Sequence, residues 1–448
     1  MNGTSNNIWF GLAVLLGVGV VLGNVVILGV RTGRGVALGS DSNPGSELVL
    51  PVGVFIDLKA IQDIKIPATS AVINKIKYNG IFLIICPSNI PENSPLCYNS
   101  SVKKLKIAQI APLWIPIPPR TYGGIELMLY GLEEELVKRG YDVTLYASGD
   151  STVSSKLKSP TDKALWLQKE AKNPHAAVIK MLHMINEDKN SFDLIHNHFN
   201  FFMFPLALCD HLPPMLTTIH RPIDDLYADA IKLFSSNIKF CVLSEDAKKS
   251  AEEKGISVID VVPNGIDPEK YPFNAQPDDY LLYLGRLNKG KGIVTALNVA
   301  KRTGHKIVIA GNMVGAEEWT YFMEHVQPLI NDENVKFVGQ ADFQEKVKLF
   351  QGAKATLFPI DRREPFGLVM IESMACGTPV VAFNKGSVPE VIEDGKTGFI
   401  VDTEDEMIEA VNKVGLIDRS ECRKLVEKKF TLAQMTDRYE KLYAELTR

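Results

Sequence analysis

Two glutamates eight residues apart, Glu364 and Glu372 in "EPFGLVMIES", frame the stretch of this 448-residue chain best suited to chemistry. Pro365 suits the first position of a helix, where its missing N–H would be unpaired anyway. Glu364 would then stand at the helix entrance, just after the strand-like run "ATLFPI". The first-turn amides of Phe366, Gly367 and Leu368 would form an anion site, and Gly367 would let a phosphate come close to the backbone. On one continuous helix Glu372 would lie about 12 Å further along the axis. That distance matches the reach from a sugar to a ribose across a diphosphate. One carboxylate could hold sugar hydroxyls and the other a ribose diol, with the helix N-terminus on the phosphates between them. An isolated pair at this spacing is more often a helix cap and an exposed helical residue, so the flanking chain has to decide.

The elements that would position these groups begin at Leu105. "LKIAQIAPLW" reads as a buried strand, "IELMLYGLEEELVKRG" as an amphipathic helix and "YDVTLYAS" as the next strand. "FDLIHNHF", "MLTTIH", "IKFCVLSE" and "ISVIDVVPNG" follow as further strands between helical stretches. After a junction at "YPFNAQPDD" the alternation restarts with "YLLYLGRL", "HKIVIAGN", "VKFVGQ", "ATLFPI" and "PVVAFN". Alternation of this kind predicts parallel sheets built from βαβ units. The expected organisation is two doubly wound α/β domains, residues 105–275 and 276–448, with a ligand cleft between them and the last helix packing back on the first domain.

Composition narrows the function classes. A formal net charge of −4 gives no sign of a nucleic-acid partner. The six cysteines are scattered, without a Cys-x-x-Cys pair, which argues for reduced thiols rather than a zinc site or disulfide framework. Residues 8–30, "IWFGLAVLLGVGVVLGNVVILGV", are uncharged and long enough to span a bilayer as a helix. Trp9 and Phe10 flank one end and Arg31 and Arg34 the other, a polarity that would leave the C-terminal bulk in the cytoplasm. Residues 31–104 carry no assignable pattern and read in part as linker.

Taken with its flanks, "PIDRREPFGLVMIESMACGTPVVAFNKGSVPEVIEDGKTGFIV" (359–401) closely resembles the nucleotide-sugar site of the family 4 retaining glycosyltransferases, which have the GT-B fold of two Rossmann-like domains. The likeness extends more loosely over residues 105–448 and leaves 1–104 uncovered. It implies a donor site made of Glu364, Phe366, Gly367, Leu368, Val369 and Glu372. "GRLNKGKG" matches the family's Arg-Leu-x-x-x-Lys-Gly element, which implies Arg286 and Lys291 as diphosphate ligands, with Lys289 as an off-register rival. Gly123 and Gly124 in "PPRTYGGIE" resemble the glycine loop beside the donor phosphates. In "HNHF", His198 is the better match for the histidine near the donor sugar, and His196 the competitor. His220 and Arg221 in "TIHRP" could line the acceptor side, and backbone near Val338 could read the base.

The resemblance implies transfer of a hexosyl group from a nucleotide-diphosphate sugar, with retention, to a saccharide or lipid-linked acceptor. No Asp-x-Asp occurs, so no metal cofactor is expected. In the family's usual account the departing phosphate takes the acceptor's proton, and Glu364 orients the sugar rather than attacking it. The lysine-rich run 154–172, with Leu165, Trp166 and Leu167, reads as a solvated helix face, or alternatively as a membrane-surface patch. A nucleotide-sugar epimerase, a phosphorylase and a catalytically silent nucleotide-sugar-binding protein are the competing functions on the same architecture.

Overall fold

The computed structural model describes residues 104–168, 173–331 and 333–448, together with the backbone of six short strands before them. Residues Met1–Lys103 and Lys104–Arg448 form two compact units.

In the first unit Asn74–Tyr78 and Ile81–Ile85 pair antiparallel, so the apolar run "GIFLIIC" holds a strand. Val21–Leu22 and Val25–Leu28 likewise pair antiparallel, with Leu22 opposite Val25 across Gly23 and Asn24. The helix expected over residues 8–30 is therefore not supported where its backbone is described, and the rest of that span lies outside the described residues. A two-residue Gly-Asn connection between β-branched runs is a hairpin signal that hydropathy ignores. Among the described residues no helix is long and apolar enough to cross a membrane.

The second unit holds two parallel sheets. The first comprises β1 (Lys106–Ile110), β2 (Asp142–Tyr146), β3 (Lys156–Lys158), β4 (Leu194–Asn197), β5 (Met215–Thr218), β6 (Ile238–Val242) and β7 (Asp260–Val261), in the order β7-β6-β5-β4-β1-β2-β3. The second comprises β8 (Tyr280–Leu284), β9 (Lys306–Ala310), β10 (Val335–Phe337), β11 (Ala355–Phe358), β12 (Val380–Phe383) and β13 (Gly398–Val401), in the order β10-β9-β8-β11-β12-β13. In each, the chain runs outward from a central strand, returns and runs outward the other way. The reversal lies between β1 and β4 in one sheet and between β8 and β11 in the other. Ligands of such sheets bind beyond the carboxyl ends of the strands at that reversal.

Burial explains the strand sequences. Ile107, Ala108, Gln109 and Ile110 of β1 are all fully buried, because helices cover both faces and no side of the strand meets water. The helices that matter for the site are α1 (Gly124–Lys138), α2 (Pro174–Asp188), α3 (Asp225–Phe234) and α4 (Glu245–Glu253) in the first domain. The second domain adds α5 (Ile293–Thr303), α6 (Gly315–His325), α7 (Phe343–Gly352), α8 (Leu368–Ala375) and α9 (Val388–Val391). Then α10 (Glu404–Lys413) and α11 (Arg419–Lys429) close the chain's second layer, and α12 (Leu432–Leu446) crosses back. Met435, Tyr439, Leu442 and Tyr443 of α12 join Ile107, Leu132, Val143 and Leu216 in one buried cluster of the first domain.

Residues 154–168 are not a helix. They contain β3 and a single 3₁₀ turn at Leu165–Leu167, and 169–172 lie outside the described residues. Lys156 and Lys158 alternate outward from an edge strand, with Asp142 and Asp188 as partners, and the spacing that looked helical is that of a charged sheet edge.

Candidate active site

The carboxyl ends of both sheets open into one cleft of about 320 Å³, lined from the first domain by Thr121, Gly123, Gly124, His220 and Arg221 and from the second by Arg286, Lys291, Glu364, Gly367 and Glu372, among others.

The segment with the two glutamates is built differently from its expected form. Helix α8 starts at Leu368, not at Pro365, and Gly367 is its N-cap with a φ of 79°. A side chain at 367 would meet Phe358 and Met370, so glycine is required twice over, by conformation and by space. Residues 364–366 form a loop instead. Ser387 pins it, its N–H donating to the Glu364 carbonyl at 3.1 Å and its hydroxyl to the Phe366 carbonyl at 2.7 Å. Pro365 serves that loop, and the free amides of the helix start are those of Leu368 and Val369 rather than Phe366 and Gly367. Only Glu372 belongs to the helix, so the two carboxylates are not spaced along one axis.

Glu364 and Lys291 form an ion pair of 2.8 Å, both mostly enclosed. Burial draws the Lys291 ammonium below the ordinary lysine range, and the Glu364 carboxylate opposes that shift. Lys291 ends a short 3₁₀ turn, and Gly292 behind it has a φ of 74° and no room for a side chain against Pro359. Lys289 is exposed and does not line the cleft. Arg286 is held by Glu318 of α6, whose carboxylate also accepts from Asn288 Nδ2 at 2.6 Å and from the Val314 amide at 2.6 Å. Tyr283 donates its hydroxyl to the Arg286 carbonyl at 2.8 Å, fixing the same loop from below. Glu372 is only 2% exposed; one oxygen takes Lys346 Nζ and the Tyr271 hydroxyl, the latter at 2.8 Å.

The first domain contributes a helix start of its own. Gly123, with a φ of 151°, caps α1, and the Cα of Gly124 faces Leu368 closely enough that a methyl there would touch it at 3.6 Å. Two helix N-termini therefore converge on the cleft, where their free amides and dipoles favour an anion. His220 and Arg221 line the same space. His198 does not; it is fully buried one layer behind, with Nδ1 2.9 Å from His220 Nε2. His196 is deeper still, between Tyr443 and Thr218. Val338 is partly exposed beyond β10 and does not line the cleft.

Across the cleft, Thr121 donates to Gln340 Oε1 at 2.7 Å. Behind it Glu390 of α9 accepts the amides of Glu245 and Asp246, both at 2.8 Å, at the start of α4. Arg363 pairs with Asp246 of the same helix at 3.0 Å.

Several cleft residues carried no sequence signal. Asn264 lines the cleft with its Oδ1 buried and without a partner. It sits in "VVPNGID", where Asn-Gly reads simply as a turn. Lys346 and Gln340 belong to an unremarkable helix and loop, and only tertiary packing brings them in, as it brings Glu318 to Arg286. Among the described residues no group of three His, Cys, Asp or Glu side chains is arranged to hold a metal ion.

Comparison with known proteins supplies a family. Residues 267–430 match the model of glycosyl transferases group 1, and residues 122–270 match that of glycosyltransferase family 4. Together the two matches span residues 122–430, most of both sheets and the cleft between them. The chain is a family 4-like glycosyltransferase of the GT-B fold. It is 22% identical over 365 residues to the O-antigen chain mannosyltransferase C of Escherichia coli, covering 73% of this chain and 96% of that one. It is 26% identical to a glycogen synthase of Mycobacterium tuberculosis, covering 63% of this chain and 79% of that one. Sucrose-phosphate synthase from Thermosynechococcus elongatus superposes on 77% of this chain and 99% of its own, with a TM-score of 0.66 at 19% identity. Anabaena HepE, solved with UDP and glucose, covers 76% of this chain and all of its own, with a TM-score of 0.62 at 17% identity.

Proposed function

We propose that this glycosyltransferase moves a hexosyl group from a nucleotide-diphosphate sugar to a saccharide or lipid-linked acceptor, with retention and without a metal. The convergence of two helix N-termini with Arg286 and Lys291 at one point of the cleft carries the reading. Four independent sources of positive potential serve a diphosphate better than any neutral ligand. The solved likeness holding UDP and glucose, and the mannosyltransferase and glycogen synthase relatives, point the same way.

In this reading the bond from the anomeric carbon to the diphosphate oxygen breaks while the acceptor oxygen bonds to that carbon on the same face. The acceptor's proton passes to the departing phosphate oxygen. Arg286, Lys291 and the amides of Leu368 and Val369 stabilise the charge on the leaving group. Glu364, already tied to Lys291, orients sugar hydroxyls, and Glu372, locked by Lys346 and Tyr271, is a fixed partner for the ribose rather than a nucleophile. His220 and Arg221 line the cleft where hydroxyls of the donor sugar and of the acceptor would meet.

The test is thermal stabilisation of the full chain by UDP, GDP and ADP, alongside a Lys291→Ala variant. A nucleotide at a hundred times its dissociation constant should add about 2.7 kcal/mol, a shift of roughly 2–4 °C. The variant should lose that shift, and incubation with the matching nucleotide sugar should yield product only when acceptor is added. No shift from any nucleotide would sink the proposal, and turnover of the donor sugar without acceptor would favour an epimerase.

A further inference from the structure

Behind the cleft lies a run of buried polar groups that none of the donor chemistry uses. His220 Nε2 is 2.9 Å from His198 Nδ1, and His198 Nε2 is 3.1 Å from Gln109 Oε1. Gln109 Nε2 donates to the Tyr443 hydroxyl at 3.2 Å. That hydroxyl is 2.7 Å from His196 Nδ1, and His196 Nε2 is 2.8 Å from Thr218 Oγ1. Gln109, His196, His198, Thr218 and Tyr443 are all fully buried, so each polar atom needs its partner.

The chemistry of the groups gives the chain a direction. An amide oxygen only accepts, so His198 Nε2 must carry the proton it shares with Gln109. A neutral His198 then has a bare Nδ1, which accepts from His220 Nε2–H. His220 is left with an unprotonated Nδ1. Further along, Tyr443 accepts the Gln109 N–H, and the acceptor within reach of its own buried O–H is His196 Nδ1, so His196 carries its proton on Nε2 and donates it to Thr218. Every donor in the run points the same way. Burial holds His196 and His198 well below the usual histidine range and lowers His220 to about 3, which keeps the imidazoles neutral, as this directionality requires.

We infer that Gln109 of β1, oriented by Tyr443 of the C-terminal helix, acts as a positioning residue that fixes the proton polarity of His220 through His198. The residue lining the cleft thereby shows its ligand a hydrogen-bond acceptor, suited to a hydroxyl. Neither Gln109 nor Tyr443 lines the cleft. The link to a sugar or acceptor hydroxyl rests on the glycosyl-transfer reading; the tautomers themselves do not.

The experiment is long-range ¹H–¹⁵N spectroscopy of the full chain labelled at its eight histidines, with His198 and His220 assigned by single substitution. The wild type should show both as Nε2–H tautomers. In Gln109→Leu the acceptor is gone, and both should switch to Nδ1–H, whereas Gln109→Glu, which keeps an acceptor, should hold His198 as Nε2–H. Wild-type His198 or His220 protonated on Nδ1, or unchanged tautomers in Gln109→Leu, would overturn the inference, and the wild-type spectrum decides even where the leucine variant fails to fold. A second arm compares binding of UDP, GDP and ADP with that of UDP-glucose, GDP-mannose and ADP-glucose. Gln109→Leu should bind the preferred nucleotide sugar about tenfold more weakly and the bare nucleotide as before. Equal loss for both would overturn the role in sugar recognition. If the wild type binds none of the six, the donor reading fails while the spectra still judge the tautomers.

Discussion

The two walls of the cleft solve opposite problems. On the second domain Arg286, Lys291 and Lys346 are each held in an ion pair, with Glu318, Glu364 and Glu372 in turn. On the first domain Arg221 brings a charge to the cleft, but the groups from His220 back to Thr218 are neutral and joined end to end by hydrogen bonds. Under the proposed function, a wall that meets a diphosphate keeps full charges in place with counter-charges, while the neutral run behind His220 controls donor and acceptor sense through hydrogen bonds. The contrast teaches that one fold can run both strategies because each half has its own sheet and its own core.

The contrast can be broken at several points. The largest effect is expected from deleting residues 432–448, which strips Met435, Tyr439, Leu442 and Tyr443 from the neutral wall's core. The truncated chain should show no cooperative thermal transition for the first domain, read by calorimetry against the full chain. Tyr439→Ala alone should cost about 3–5 kcal/mol, the usual price of removing a large buried ring. On the charged wall, Glu364→Gln should lower transfer by a factor on the order of 10²–10³ while the nucleotide thermal shift persists. A rate within a few-fold of wild type would remove Glu364 from the chemistry.

Acid should probe two groups of the first-domain wall more gently. His220 is lowered from 6.5 to about 3 in the folded chain, so the unfolded chain binds protons first as pH falls. The stability it lends is complete above about pH 6.5 and drains away towards pH 3. Glu126, at the start of α1, has the opposite sense: burial raises its carboxyl to about 7. Its contribution is complete below pH 4.5 and is lost as pH rises to 7. Melting temperature against pH for the wild type and Glu126→Gln should show the neutral-pH loss only in the wild type. The smallest effect is expected at Glu390→Ala, which deprives two amides of α4 of their acceptor and should cost roughly 0.5–2 kcal/mol, as other lost helix caps do.

How legible all this was differs between the walls too. Strand positions, helix alternation and the restart near residue 276 follow from hydrophobic period, because a parallel sheet buries both faces and writes that into every strand. Arg286, Lys291, Glu364 and Gly367 stand in short segments whose spacing reflects a single loop. What resisted reading is set by long-range packing. Glu372 looked like the far end of an axis beginning at Pro365, but Ser387 holds residues 364–366 off the helix. Glu318 approaches Arg286 from another helix, and Gln109 looks like a misplaced polar residue in an apolar strand until Tyr443 arrives from the far end of the chain.

That arrival has a consequence for how the molecule is made. The first domain emerges from the ribosome with its sheet strands in hand but with a trough beside Ile107 and Val143 where α12 belongs. The trough stays open until the final fifteen residues of helix, Leu432–Leu446, have been synthesised. The neutral wall is therefore completed after the charged one, and a chain stopped between the two leaves only the charged half finished.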